Sequence, residues 1–228
     1  MSPKPLNRLN KQLAKIKNIS RNEADLLIKK GVVTVNGIVA KIGDLISNDD
    51  KIKVSEGNIV HDYFLYNKVS GESINEGELA DFLAKTKTFV SNPLSKEEAG
   101  LLILTNDGRL GEYLKNSYYE REYILETDSP IKPTFLNRLE KGFFYQSIKF
   151  FSKKIKPIND TEIQLVFKKE KRNFLLHITS VFGYNNVKIN RTRIANLRTD
   201  TLKPDEIRSI TKHDLEVFFQ IIKYRTNK

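Results

Sequence analysis

The stretch Asn92-Pro-Leu-Ser-Lys-Glu-Glu-Ala-Gly-Leu-Leu-Ile-Leu-Thr-Asn-Asp-Gly-Arg-Leu110 sets a hydroxyl and two carboxylates just ahead of a short apolar run. A polar loop entering a buried strand is where scaffolds place reactive groups. The Ser95 hydroxyl needs an adjacent base to become a nucleophile, whereas a carboxylate is charged at neutral pH and needs no activation. No histidine lies near Ser95 in the sequence. The three histidines, His61, His177 and His213, are far apart and argue against a histidine-based metal site. With no cysteine, disulfides, thiolate metal sites and cysteine nucleophiles are excluded, which fits a reducing compartment.

The elements that must carry this loop belong to an ordinary globular chain. Of 228 residues, 39% are hydrophobic and 29% charged, a balance that excludes compositional disorder. No apolar run is long enough to span a membrane, and the basic N-terminus is not followed by the apolar stretch of a signal peptide; the expected location is the cytoplasm. The net charge of +11 calls for an anionic partner, most naturally nucleic acid. Residues 1–31 carry eight basic residues (Lys4, Arg8, Lys11, Lys15, Lys17, Arg21, Lys29, Lys30) against Glu23 and Asp25. A second basic concentration comprises Lys149, Lys153, Lys154, Lys156, Lys168, Lys169, Lys171 and Arg172.

Leu9, Leu13 and Ile16 fall on one helical face. Ser20-Arg-Asn-Glu23 is a capping-box pattern, Ala24, Leu27 and Ile28 form the next stripe, and Gly31 is the stop. Val32 to Val35, Asn36-Gly37 and Ile38-Val39 predict a tight hairpin, followed by a turn and strand over Asp44–Val54. These elements make a compact two-helix unit closed by a small sheet. A linker is expected over Ser55–Val60. Beyond it, strands are predicted at 62–66, 101–105, 120–126 and 162–167. Helices are predicted at 78–86, from 110, and at 133–141, 174–182 and 212–224.

Two resemblances follow from these residues. Arg8-Leu-Asn-Lys, Ile19-Ser-Arg-Asn-Glu-Ala-Asp, Ile28-Lys-Lys-Gly and Val33-Thr-Val-Asn-Gly resemble the S4 RNA-binding domain. That resemblance implies a docking surface for structured RNA formed by Arg8, Lys11, Lys17, Ser20, Arg21, Lys29 and Lys30. A helix N-terminus with flanking basic residues suits phosphate independently of any family. Asn67-Lys68 with Gly71, Gly100 to Gly108, Tyr119-Glu-Arg-Glu-Tyr123, Phe182-Gly-Tyr184, Arg191-Thr-Arg-Ile194 and Leu202 to Arg208 resemble the ribosomal pseudouridine synthases that carry an N-terminal S4 domain. The nearest type is the one called F, which acts on the rRNA of the large ribosomal subunit. The expectation is an α+β chain. It has a small S4 (αL-like) domain over residues 1–55, then a pseudouridine synthase fold over 61–228 with a mixed, mainly antiparallel central sheet flanked by helices.

Laid on the family motif with Gly100 fixed, the catalytic aspartate falls on Ser95 and the neighbouring arginine on Pro93. With Gly183 fixed, the basic residue that pairs with the aspartate falls on Leu176. Val69 replaces a proline of the Lys-Pro-x-Gly loop. Tyr123 matches the tyrosine that stacks under the target base. An arginine left buried without its carboxylate would cost roughly 3–5 kcal/mol, so the two losses belong together. On this resemblance the loop is the remains of an active site. The implied protein is a monomer that binds ribosomal RNA or a ribosomal particle, without cofactor, metal or membrane, and no longer isomerises uridine. The alternative is an active synthase on 23S rRNA or tRNA that recruits another carboxylate, Glu97 or Glu98. A further reading makes the old cleft a protein-binding groove lined by exposed Phe174, Leu175 and Leu176.

Overall fold

The computed structural model describes residues 6–55, 61–116, 118–169, 171 and 173–224. Lys4, Arg172 and the linker expected over Ser55–Val60, apart from Ser55 itself, lie outside the described residues. The described residues form two compact units, one made of those up to His61 with Asn106–Leu110 and the other of Asp62–Thr105 with the described residues from Gly111 to Tyr224.

In the first unit, strand β1 (Asn7–Arg8) leads directly into helix α1 (Leu9–Lys17), and helix α2 (Arg21–Lys29) follows. The Ser20 cap is closed from both sides: Glu23 N–H donates to Ser20 Oγ at 3.2 Å and Ser20 N–H to Glu23 Oε2 at 2.6 Å, which satisfies two N–H groups that a helix start would otherwise leave open. Gly31, at φ +72°, turns the chain after α2. Strands β2 (Val33–Val35) and β3 (Ile38–Val39) form the expected hairpin, with Asn36 and Gly37 both at positive φ. Strand β4 (Leu45–Ile46) pairs with β1, and β5 (Ile52–Val54) pairs with β2. Leu9, Leu13, Ala24, Leu27, Ile28, Val33, Ala40 and Ile46 make the core. Ile16 is not part of it. The residue is 62% exposed, in the last turn of α1 just before the chain swings away at the left-handed Asn18.

In the second unit, β6 (Tyr63–Lys68), helix α3 (Gly77–Thr86), β7 (Phe89–Val90) and β8 (Ala99–Thr105) come first. Helix α4 (Gly108–Asn116), β9 (Arg121–Glu126) and α5 (Pro133–Lys141) follow, the last with proline in its first turn. A short hairpin of β10 (Phe143–Tyr145) and β11 (Ile148–Phe150) precedes β12 (Lys154–Pro157) and β13 (Glu162–Phe167). Helix α6 (Phe174–Val181), β14 (Lys188–Ile194), β15 (Leu197–Arg198), β16 (Ile207–Ser209) and α7 (Lys212–Ile222) complete the described chain.

Among the described residues the central sheet has nine strands in the order β12-β13-β9-β14-β8-β6-β16, with β15 on β14 and β7 on β8. All pairs are antiparallel except β8 with β14. This is the mixed, mainly antiparallel sheet that the motifs imply. The predicted ranges for α5 and β13 coincide with the observed ones. Strands β1, β7, β10–β12, β14, β15 and β16 have no counterpart among the predicted elements. An aromatic cluster around Phe135, Phe143, Phe150, Phe167 and Phe174 fills one part of the unit. A smaller cluster of Tyr66, Leu79, Leu94, Leu102 and Leu104 joins α3, β6, β8 and the loop before β8.

Candidate functional site

The loop from Ser91 to Glu98 is tied down at both ends. At its start, Ser91 donates to the Ile103 carbonyl through both N–H (2.9 Å) and Oγ (3.0 Å). Arg191, a fully buried residue of β14, donates through Nη2 to the Asn92 carbonyl at 2.7 Å, and through Nε and Nη2 to Leu101 O at 2.9 and 2.7 Å. At the far end the Lys68 ammonium, also buried, donates to the carbonyls of Val69, Lys96 and Glu98 at 3.0, 3.0 and 2.7 Å. Burial lowers the Lys68 pKa, against the opposing pull of Glu72, Glu98 and Glu97. Ser70 Oγ and Gly71 N–H donate to the carbonyls of Glu97 and Lys96, at 2.8 Å each. These bonds tie Lys68, Ser70 and Gly71 to the loop, whereas Asn67 is bonded to the Leu202–Glu206 segment.

Gly100 takes the loop into β8. Its φ is +111°, and a Cβ there would lie 2.3 Å from the Arg191 carbonyl oxygen and 2.5 Å from the Arg191 nitrogen. Only glycine permits this parallel approach of β14, where Arg191 faces Gly100. Across β14 the register places Tyr123 of β9 opposite Arg191. Gly100, Arg191 and Tyr123 thus occupy one row across three strands, at the mouth of the loop carrying Ser95.

Ser95 is 3% exposed, and its N–H and Oγ both donate to Glu98 Oε2, at 2.8 and 2.9 Å. Glu98 is equally buried, so the structure brings a carboxylate to the position where the motif lacks one. Glu97 is exposed. Pro93 is half-buried in the same loop. Tyr123 is 1% exposed and meets the rings of Phe167 and Phe174 edge-on, at 6.2 and 5.8 Å. Phe174 and Leu175 are buried, and half-buried Leu176 packs against the same cluster. That corrects the reading of Phe174 to Leu176 as an exposed protein-binding groove. Phe174 and Leu175 are core residues, drawn in by the aromatic rings of β10, β11 and β13, and Leu176 covers the edge of that cluster.

The S4-type residues do not converge on one point. Arg8, Lys11 and Arg21 line one polar cavity of about 500 Å³ together with Leu6, Asn7 and Asn10. Ser20 spends its hydroxyl on the α2 cap. Lys29 and Lys30 stand at the opposite end of the nine-residue α2, roughly 13 Å along its axis at 1.5 Å per residue, and Lys17 is exposed at the end of α1.

One grouping unites residues that are distant in sequence. Ligand-type atoms of Glu23, His61 and Asp107 lie within 4.8 Å of one another. His61 Nε2 is 3.1 Å from Glu23 Oε1. Asp107 Oδ1 accepts from the N–H groups of Arg109 and Leu110 in the first turn of α4 and lies 3.5 Å from Arg109 Nε. Each carboxylate thereby sits at a helix start, where backbone N–H groups donate to it, and has a basic side chain beside it.

Comparison with known proteins bears on both halves of the chain. A family model for the S4 domain matches residues 7–52. The chain is 30% identical to the dual-specificity RNA pseudouridine synthase RluF of Escherichia coli strain K12, over 98% of this chain and 82% of that protein. It is 28% identical to an uncharacterised RNA pseudouridine synthase of Aquifex aeolicus, covering 95% and 98% of the two chains. Identity to the ribosomal large subunit pseudouridine synthase B of Bacillus subtilis is 26%, covering 92% and 95%. A crystal structure of a pseudouridylate synthase superposes with a TM-score of 0.62 over 92% of this chain and 99% of that one, at 22% identity, and so shares the fold. This extent of likeness places the chain in the RNA pseudouridine synthase family, with an S4 domain at its N-terminus.

Proposed function

We propose that this chain is a cytoplasmic, monomeric RNA-binding member of the family that acts with ribosomal RNA, for instance in ribosome assembly, and does not isomerise uridine. The observation that carries the reading is the state of position 95. The residue there is a serine with both donors committed to Glu98, and the position expected for its basic partner is Leu176, half-buried against the aromatic cluster. A serine hydroxyl, unlike a carboxylate, is not reactive without activation, and the Glu98 carboxylate beside it is held in the loop by the Ser95 N–H and Oγ. The S4 unit over residues 1–55 and the basic faces of residues 61–228 would supply RNA affinity, and the buried Tyr123 could stack an unpaired base only after its aromatic neighbours open.

A second reading is favoured by one observation, the Glu98 carboxylate 2.9 Å from Ser95 Oγ. In that reading Glu98 is the substitute carboxylate of an active synthase on 23S rRNA or tRNA. Tritium release from 5-³H-uridine RNA separates the two. No release by protein shown to bind the RNA supports the inactive reading. Release that disappears in Glu98→Gln establishes the second and overturns the first.

A further inference from the structure

Three aromatic rings of the second unit stand out by their exposure. Tyr118, Phe144 and Phe151 are 67%, 66% and 54% exposed, and two of them sit where three strands end together. Val166 of β13 pairs with Lys154 of β12 on one side and Glu122 of β9 on the other. Lys153 N–H donates to Val166 O at 2.7 Å, and Arg121 Nη1 to Lys168 O at 3.2 Å. The start of β12, the end of β13 and the start of β9 therefore form one corner. Phe151 stands just ahead of β12 and Tyr118 just ahead of β9, with Lys169 Nζ 5.0 Å from the Tyr118 ring centre.

The charge at this corner is basic. Among the described residues its acidic side chains are already engaged, Glu120 by Lys153 and Arg193 and Glu122 by Arg193 and Arg198. Lys154, Lys156 and Lys168 remain exposed. Lysines on the edge strand β12 also serve to block strand addition, but exposed rings do nothing for that purpose. Rings interleaved with lysines match the chemistry of single-stranded nucleic acid, whose bases stack and whose phosphates need cations.

We propose that this corner is a second RNA contact, which takes an unpaired segment by stacking its bases on Tyr118 and Phe151 and pairing its phosphates with Lys154 and Lys168. The proposal rests on the RNA-binding reading above. A duplex would offer neither ring a free base face.

The test uses the full-length protein and fluorescence anisotropy with a short labelled single-stranded RNA, alone and annealed to its complement. The single strand binds more tightly than the duplex. The Tyr118→Ala/Phe151→Ala variant loses about tenfold or more in single-strand affinity, in line with the worth of base stacking, with an unchanged salt slope and an unchanged circular dichroism spectrum. Tyr118→Phe/Phe151→Tyr retains the affinity. Lys154→Ala/Lys168→Ala instead flattens the slope by about 0.7 per lost phosphate contact. An alanine variant that binds like the wild type, or a preference for duplex, overturns this inference and leaves the RNA reading standing. A wild type that binds neither RNA sinks both.

Discussion

At the scale of single residues, the loop is held by two buried cations, Lys68 and Arg191, that donate to backbone carbonyls at its two ends. Lys68→Met should cost at least about 3 kcal/mol, since three carbonyls lose a donor in a buried place; urea denaturation measures it. Burial lowers the Lys68 pKa, so the unfolded chain binds this proton more tightly. Its contribution therefore makes stability rise with pH, from the lowered folded value up to the ordinary lysine range. The Met variant should lack that alkaline component, read from urea midpoints across alkaline pH. Much of the site is legible at this scale. Gly100, Lys68 and Gly71 stand in recognisable motifs, and the structure shows a steric or hydrogen-bonding reason for each. The Ser95–Glu98 contact has the Ser-x-x-Glu spacing of the Ser20–Glu23 cap, but a strand follows it instead of a helix, so helix-cap reasoning does not single it out.

At the scale of elements, β14 shows why some strands escape a sequence reading. Lys188 to Ile194 reads as polar, yet Arg191 is fully buried, its charge solvated by carbonyls that hydropathy cannot see. The short β10–β11 hairpin turns on Gln146 and Ser147, both at positive φ, with no Asn-Gly to announce it. By contrast α5 and β13 have strong apolar periodicity, and their predicted and observed bounds agree to the residue. Gly100→Ala tests the β8–β14 pairing. A Cβ 2.3 Å from the Arg191 carbonyl oxygen at a φ of +111° should cost more than about 4 kcal/mol and leave little folded protein, as judged by soluble yield and thermal unfolding.

The β9–β14 surface carries its own pH signature. A hydrogen bond from Lys153, opposed by burial, lowers the Glu120 pKa, helped by the Lys153 and Arg193 charges. For Glu122, burial works against ionisation, but Thr192, Arg193 and Arg198 outweigh it and the pKa is again lowered. Carboxylates lowered on folding contribute stability that is present above the ordinary carboxylate range and lost as pH falls through the folded values. Glu122→Gln should therefore flatten the acid limb of the stability profile below about pH 5, measured by denaturation at fixed temperature.

At the scale of the whole molecule, a net charge of +11 predicts binding governed by phosphate contacts. The log of RNA affinity should fall linearly with log salt with a slope of about −4 or steeper, corresponding to roughly four or more contacts; a flat dependence would remove the basis for the RNA reading. Composition makes the anionic partner legible, and the S4 motifs supply the class. What the sequence hides is distribution. Lys29 and Lys30 stand at the far end of α2 from Arg21, and the aromatic-basic corner at Tyr118 and Phe151 is assembled from three strand ends that are distant in sequence.

The central claim, a pseudouridine synthase fold kept for binding after its chemistry has gone, is tested most directly by tritium release. Wild-type protein and the Ser95→Asp/Leu176→Arg variant would be incubated with 5-³H-uridine ribosomal RNA, with binding of each confirmed separately. The account predicts bound RNA and no release above background for the wild type, whether or not the variant regains activity. Release by the wild type would contradict it and turn attention to the Glu98 carboxylate beside Ser95.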